Sequence, residues 1–266
     1  MKTVFSIVFA FLCAIAYSAQ VLTLPASEAV SPGMWICYRM DLRLEDEPSD
    51  VELRIAADSK YWLWVNGELQ VREGGLKRGP NPKDTYCDVL RGAQGLREGD
   101  NTVAVLVWYF GKDGFSHRNS PTPGLAFRLS VDGKVLDTDK AWKVCRHPAY
   151  YLPEGEKPNY RLPESNIGFD AAKDIAFQQP DYDDSSWSKV RRVSLEEAGW
   201  NRLVDRPIPQ WKDYGLKTYT RTERQGNQIL AYLPYNAQVT PYLKVKSVAD
   251  RKIDIRTDDY QGGSAT

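Results

Sequence analysis

The 266-residue sequence has little from which to build a metal or nucleophile site. Its two histidines, His117 and His147, stand in different segments with no cysteine close in sequence. The clustered ligands that zinc requires are therefore missing, and no loop has the oxygen spacing of an EF-hand, so no metal and no cofactor is expected. Four cysteines occur, one of them in the apolar leader. The remaining three, Cys37, Cys87 and Cys145, match neither a zinc ribbon nor a CxxC redox site, and an odd number cannot all pair. Buried thiols on strands are the expectation, with one disulfide as the alternative. Charge of either sign is not in excess, since 35 Lys and Arg balance 35 Asp and Glu. That balance supplies no field to attract nucleic acid or an anionic membrane, and a neutral partner fits it best. No GxSxG, GxxxxGK[ST] or strand-following GxGxxG is present, which removes the entry points for a nucleophilic hydrolase, a P-loop enzyme or a dinucleotide enzyme.

Long apolar runs are also scarce. One lies in MKTVFSIVFAFLCAIAYSAQ, where Lys2 precedes apolar Val4 to Ala16 and small Ser18 and Ala19 follow. This pattern reads as a signal peptide over residues 1–19, too short for a membrane span, so an exported chain, periplasmic or extracellular, without membrane insertion after cleavage is expected.

What the sequence does contain is β-strand text rich in aromatics. In MWICYRMDLRL, Met34, Ile36, Tyr38, Met40 and Leu42 alternate with the intervening residues, and Val51, Leu53 and Ile55 repeat the pattern, which predicts half-buried strands. KYWLWVNGELQV places a type I′ turn at Asn66-Gly67 between two strands, with Trp62 and Trp64 on one face and Tyr61, Leu63 and Val65 on the other. NTVAVLVWYF is apolar on both faces and predicts a central strand. A strand, an acidic turn and a returning strand are read over residues 169–193, and the one helical turn outside the leader is expected at SLEEAGW, Ser194 to Trp200. Prolines mark a connection near residues 152–165 inside a sandwich read over residues 30–215, and a second Pro-rich stretch, DRPIPQWKDYG, precedes an incomplete second unit over residues 216–266.

Two kinds of side chain invite a functional role. The acidic pairs Asp183-Asp184, Glu196-Glu197 and Asp258-Asp259 could suggest a pair of catalytic carboxylates, but all three stand in turn-like or terminal text and read as solvated turns. The loop WYFGKDGFSHRN is different. It gathers Trp108, Tyr109, Phe110, Phe115, His117 and Arg118, and rings in a glycine-containing loop call for a partner surface, either carbohydrate or a neighbouring domain. Aromatic faces stack on the CH patches of a sugar, while His and Arg hydrogen-bond its hydroxyls.

The stretch YWLWVNGELQV with YCDVL and LREGDNTVAVLV resembles the jelly-roll sandwich of exported glycoside hydrolases. WYFGKDGFSH, GFDAAKD, YDDSSW, GWNRLVDRPIPQW and QVTPYLKVKSVADRKIDIRTDDYQGG are similar to bacterial α-L-rhamnosidases of glycoside hydrolase family 78, in the versions typical of gut Bacteroidetes. The resemblance implies an all-β fold: a galactose-binding-like jelly-roll β-sandwich followed by the truncated start of a second β-sandwich. It also implies a parent enzyme that hydrolyses terminal α-L-rhamnosides with carboxylates on a downstream helical barrel. None of that barrel matches residues here, so no catalytic residue is assigned and the chain alone is expected to be inactive. The implied partners are a rhamnose-containing glycan and the downstream catalytic domain. Two alternatives remain open at this stage, a stand-alone carbohydrate-binding or adhesion module and the sandwich of a family 2 type β-glycosidase.

Overall fold

The computed structural model describes residues 19–75, 79–115, 117–136, 138, 141–154, 164, 166–235, 242–246 and 251–255. The leader expected at residues 1–19 therefore lies outside the described residues except for its last position, and so do most of the proline-marked connection and Asp258-Asp259. The chain divides into two compact units, Met1–Trp211 and Lys212–Thr266.

The first unit is a jelly-roll β-sandwich. In chain order its strands are β1 (Gln20–Thr23), β2 (Met34–Leu44), β3 (Val51–Asp58), β4 (Lys60–Val65), β5 (Glu68–Gly74), β6 (Thr85–Arg91), β7 (Gly99–Tyr109) and β8 (Gly124–Val131). The short strands β9 (Lys134–Leu136), β10 (Lys143–Arg146), β11 (Tyr150–Tyr151), β12 (Gly168–Phe169), β13 (Ser188–Lys189), β14 (Arg191–Ser194) and β15 (Leu203–Asp205) follow. One sheet runs β14-β1-β8-β3-β6-β15 with β9 beside β8, and the other runs β13-β10-β2-β7-β4-β5. The first sheet thus takes in Gln20–Thr23, ahead of the residue-30 start read from sequence. Side chains that alternate inward from both sheets, among them Tyr38, Met40, Ile55, Leu63, Val105 and Phe127, form one buried core. This is the period-2 pattern acting as expected, because successive strand residues face opposite sides and one side faces the opposing sheet.

The hairpin between β4 and β5 turns at Asn66 and Gly67, with φ of 52° and 82°. Positive φ at both positions is what a type I′ turn demands. Asn66 also donates through Nδ2 to the carbonyl of Gly95 and to Asn101 Oδ1, and its Oδ1 accepts from Thr102 N–H, which ties the turn to β7. A Cβ on Gly67 would stand 3.0 Å from Gln179 Oε1 besides occupying a left-handed backbone. Gly67→Val is therefore expected to destabilise the sandwich by about 1–3 kcal/mol, the usual strain scale. A thermal or urea midpoint equal to that of the parent protein would contradict the turn's role.

Three local expectations need correction. Strand β2 is not half-buried: all residues from Met34 to Met40 are buried. The reason lies in residues 147–187, which were read partly as strand. Apart from β11, β12 and a 3-10 turn at Ala171–Lys173, their described residues form an irregular cover over the outer face of the second sheet. SLEEAGW is not a helix but a hydrogen-bonded turn, with Ser194 Oγ accepting from Glu197 N–H and Ala198 N–H donating to the Ser194 carbonyl. Its driving element is Trp200, which is fully buried against the outer face of the first sheet and pulls the chain straight after one turn.

The second unit contributes, among its described residues, the antiparallel hairpin β16 (Arg221–Gln225) and β17 (Gln228–Tyr232), with the Arg221 guanidinium 4.1 Å from the Tyr232 ring centre. Two strands are too few to form a sandwich by themselves.

Candidate functional site

The outer face of the second sheet carries a continuous aromatic layer. Residues of odd number in β2 and even number in β7 and β4 point outward, so the register brings Trp35 opposite Trp108 and sets Trp62 on the neighbouring strand. Trp35 is the centre. Its ring stacks on Trp108 at 4.8 Å, on Trp62 at 5.3 Å and on Tyr150 of the cover at 4.1 Å. Trp64 meets Phe177 edge-on at 5.7 Å, and Trp187 and Tyr182 extend the layer. Burial pushes the Tyr150 hydroxyl up to about 12, with the Asp174 carboxylate adding to the shift, so this ring stays neutral at ordinary pH.

At one end of the layer the chain supplies charge. Lys60 opens β4 and holds its Nζ 5.9 Å from the Trp108 ring centre and 6.0 Å from that of Phe110. Two carboxylates reach the same ammonium, Glu73 at 3.6 Å and Glu164 at 3.4 Å. All three are half-buried beside half-buried Trp62. Stacking faces next to fixed donors and acceptors are what a neutral polyhydroxylated ligand requires.

The six loop residues singled out from sequence divide among different surroundings. Trp108 and Phe110 belong to the outer layer and are buried. Tyr109 points the other way, into the sandwich core, and its hydroxyl donates to the Ser120 carbonyl at 2.7 Å. Burial raises its pKa, opposed in part by the Asn119 amide. His117 is buried against Phe110 at 5.1 Å, with Nε2 3.3 Å from Ser59 Oγ and 3.9 Å from Asp58 Oδ1. Phe115 is 71% exposed. Arg118 is exposed and donates to Asp113, whose carboxyl is held below its usual range chiefly by the Asn119 N–H and also by Arg118. The loop is thus anchored from inside by a buried cluster, in which Ser59 and Ser120 hydroxyls donate to Asp58 and Trp200 Nε1 donates to Ser120 Oγ. These serines, His117 and Asp58 are all buried, so the constellation locks the loop and does not present a nucleophile to solvent.

Sequence reasoning missed Lys60, Glu73, Glu164, Trp35 and Tyr150 as members of one surface. Only the hairpin alternation, which put Trp62 and Trp64 together, hinted at it. Asp184 was read as a solvated turn residue and is instead buried, accepting from Arg39 Nε at 3.0 Å and Lys143 Nζ at 2.6 Å. Asp183 and Glu196-Glu197 are exposed turn residues. Among the described residues no cluster of side chains could hold a metal ion, and no helix is long and apolar enough to cross a membrane.

No protein-family model matches the chain, and no curated protein does. Solved structures do. A family 78 rhamnosidase of Bacillus sp. GL1 is 30% identical over 73% of this chain, with a TM-score of 0.61. An α-L-rhamnosidase from Aspergillus terreus matches 79% of it at 16% identity and TM-score 0.57, and one from Dictyoglumus thermophilum 77% at 16% and 0.53. At 16% identity the last two speak for the fold alone. The chain spans 20%, 25% and 24% of the lengths of these three proteins.

Proposed function

We propose that this chain is the non-catalytic sandwich portion of an exported α-L-rhamnosidase-like glycoside hydrolase, placed in the periplasm or outside the cell. The observation that carries the proposal is the likeness to the Bacillus rhamnosidase, 30% identical over 73% of this chain but over only 20% of that protein. A segment matching a fifth of an enzyme is a part of its architecture. Cleavage of the leader after Ser18 or Ala19 would leave β1, which starts at Gln20, intact.

In this reading the sandwich is a scaffold whose aromatic end, with Lys60, Glu73, Glu164 and Trp62, offers a surface to a rhamnose-containing glycan. Half-buried Trp62 supplies an apolar face, and the ion-paired groups supply hydrogen bonds held in place by mutual charge. No step of hydrolysis is assigned to these residues.

The chain is expected to show no turnover of an aryl α-L-rhamnoside. It is expected to bind L-rhamnose with a change in tryptophan fluorescence that Trp62→Ala weakens by about 1–3 kcal/mol, the scale of losing an interface anchor. Turnover that disappears on replacing one of its own carboxylates would refute the non-catalytic reading. An absence of any rhamnose-dependent signal would refute the glycan surface and leave the scaffold role.

A further inference from the structure

Cys37 lies in β2 and Cys145 in β10, and the two are register partners across that antiparallel pair. Directly opposed residues point to the same side of a sheet. Here that side is the outer one, where both sulfurs join the aromatic layer. His147 N–H donates to the Trp35 carbonyl at 2.9 Å, two residues further along both strands. Hydrogen-bonded and non-hydrogen-bonded pairs alternate along an antiparallel ladder, so 37 and 145 form a hydrogen-bonded pair, for which the Cα separation is about 5.5 Å. A disulfide accepts Cα separations of about 4.4–6.8 Å, most often about 5.5–6 Å. Cys145 packs against the same buried cluster as Cys37, and after burial its proximity is a further cause that pushes the Cys37 thiol up. Cys87 is on the other sheet, in a separate buried cluster, with its thiol directed to the Asp88 carbonyl.

We propose that Cys37 and Cys145 form an oxidisable cross-strand pair that closes to a disulfide linking β2 to β10 beneath the aromatic layer. The oxidant is a disulfide, either a low-molecular-weight one such as glutathione disulfide or that of a thiol oxidoreductase. Cys145 is half-buried and Cys37 fully buried, so Cys145 is the entry point. Its thiolate attacks one sulfur of RSSR and forms a mixed disulfide, releasing RS⁻. The Cys37 sulfur, losing its proton, then attacks the Cys145 sulfur and expels the second RS⁻. Two protein thiols and one RSSR thereby become one protein disulfide and two RSH, with the two electrons and both protons carried away by the released thiols. Strand β10 is the element secured: it is four residues long and is held on one side by β2 and on the other by the two-residue β13.

The test uses the full chain, purified reduced and incubated with excess glutathione disulfide, then alkylated in denaturant and mapped by mass spectrometry. The expected result is a Cys37–Cys145 cross-linked peptide with Cys87 alkylated, retained in Cys87→Ala and absent in Cys145→Ala. The oxidised protein is expected to melt at a higher temperature than the reduced protein, and Cys145→Ala to show no such difference. A glutathione adduct persisting on Cys145 without closure, both thiols remaining free, or a bond formed through Cys87 would each overturn the proposal.

Discussion

Arg39→Met is expected to lower the unfolding free energy by about 3–5 kcal/mol, because removing one partner of a buried ion pair leaves the other charge without compensation. Arg39 stands on the outer face of β2 with its side chain almost wholly buried. It donates to Asp184 at 3.0 Å and to three backbone carbonyls, those of Phe177 at 3.2 Å, Gln179 at 2.9 Å and Pro180 at 2.9 Å. One guanidinium therefore satisfies a carboxylate and much of the irregular backbone that crosses the sheet. Methionine retains most of the side-chain volume and none of the donors, so the loss reports on polar groups and not on packing. Lys143 sits directly opposite Arg39 in the register, and Asp184 lies between the two cations, relieving a like-charge contact. Lys143 is more exposed, and Lys143→Met is expected to cost about 1 kcal/mol or less. Urea denaturation of the two variants checks the contrast. The Arg39 variant should also show red-shifted tryptophan emission as the cover that carries Trp187 loosens over Trp64. A cost below about 1 kcal/mol for Arg39→Met would mean that the cover is held by its aromatic contacts and not by this clamp.

The second large effect is expected at Trp35, where replacement by alanine should cost about 3–5 kcal/mol, the range for deleting a large buried ring. Trp35 is 6% exposed and contacts three further rings, so its loss opens a cavity between β7, β4 and the cover and removes stacking worth about 0.5–1.5 kcal/mol per pair. Trp35→Phe should recover most of the stability because a ring remains in the layer. Equal destabilisation by phenylalanine and alanine would show that indole shape, not aromatic contact, is what the site requires. Stability of Trp35→Ala within about 0.5 kcal/mol of the parent would place this residue among ordinary surface positions and contradict the layer altogether.

Both variants probe the part of the fold that sequence reading described least well. Alternation in β2, β4 and β7 was legible, and with it the inward set Tyr38, Leu63 and Val105. The outward set was legible only in part, with β7 read as apolar on both faces, Trp62 and Trp64 as one face of the hairpin and β2 as half-buried, since a period of two says only that two faces exist. Trp108 and Phe110 were read with Phe115 and Arg118 as one loop, although Trp108 is still in strand β7 and Phe110 follows it directly. Tyr109, between them, faces the core, as strand geometry requires of an intervening residue. Placing His117 against Phe110 needs the Asp58, Ser59 and Ser120 cluster, whose members come from the junction of β3 with β4 and from the far side of the loop.

By itself the sequence determined the all-β class, the central place of β7, the positive-φ turn at Asn66-Gly67 and the division of apolar residues into two faces. These are local properties, fixed by side-chain alternation and by the few residues that tolerate a left-handed backbone. Tertiary structure alone decided which outward face became a second core, that the described residues between 147 and 187 cover it, and that Arg39 meets Asp184. It also decided that Glu73 and Glu164 converge on Lys60 and that Cys145 lies opposite Cys37. Those pairings join residues far apart in the chain through ion pairs, stacking and sheet register, and their energy comes from desolvation and charge that exist only once the sheets have formed.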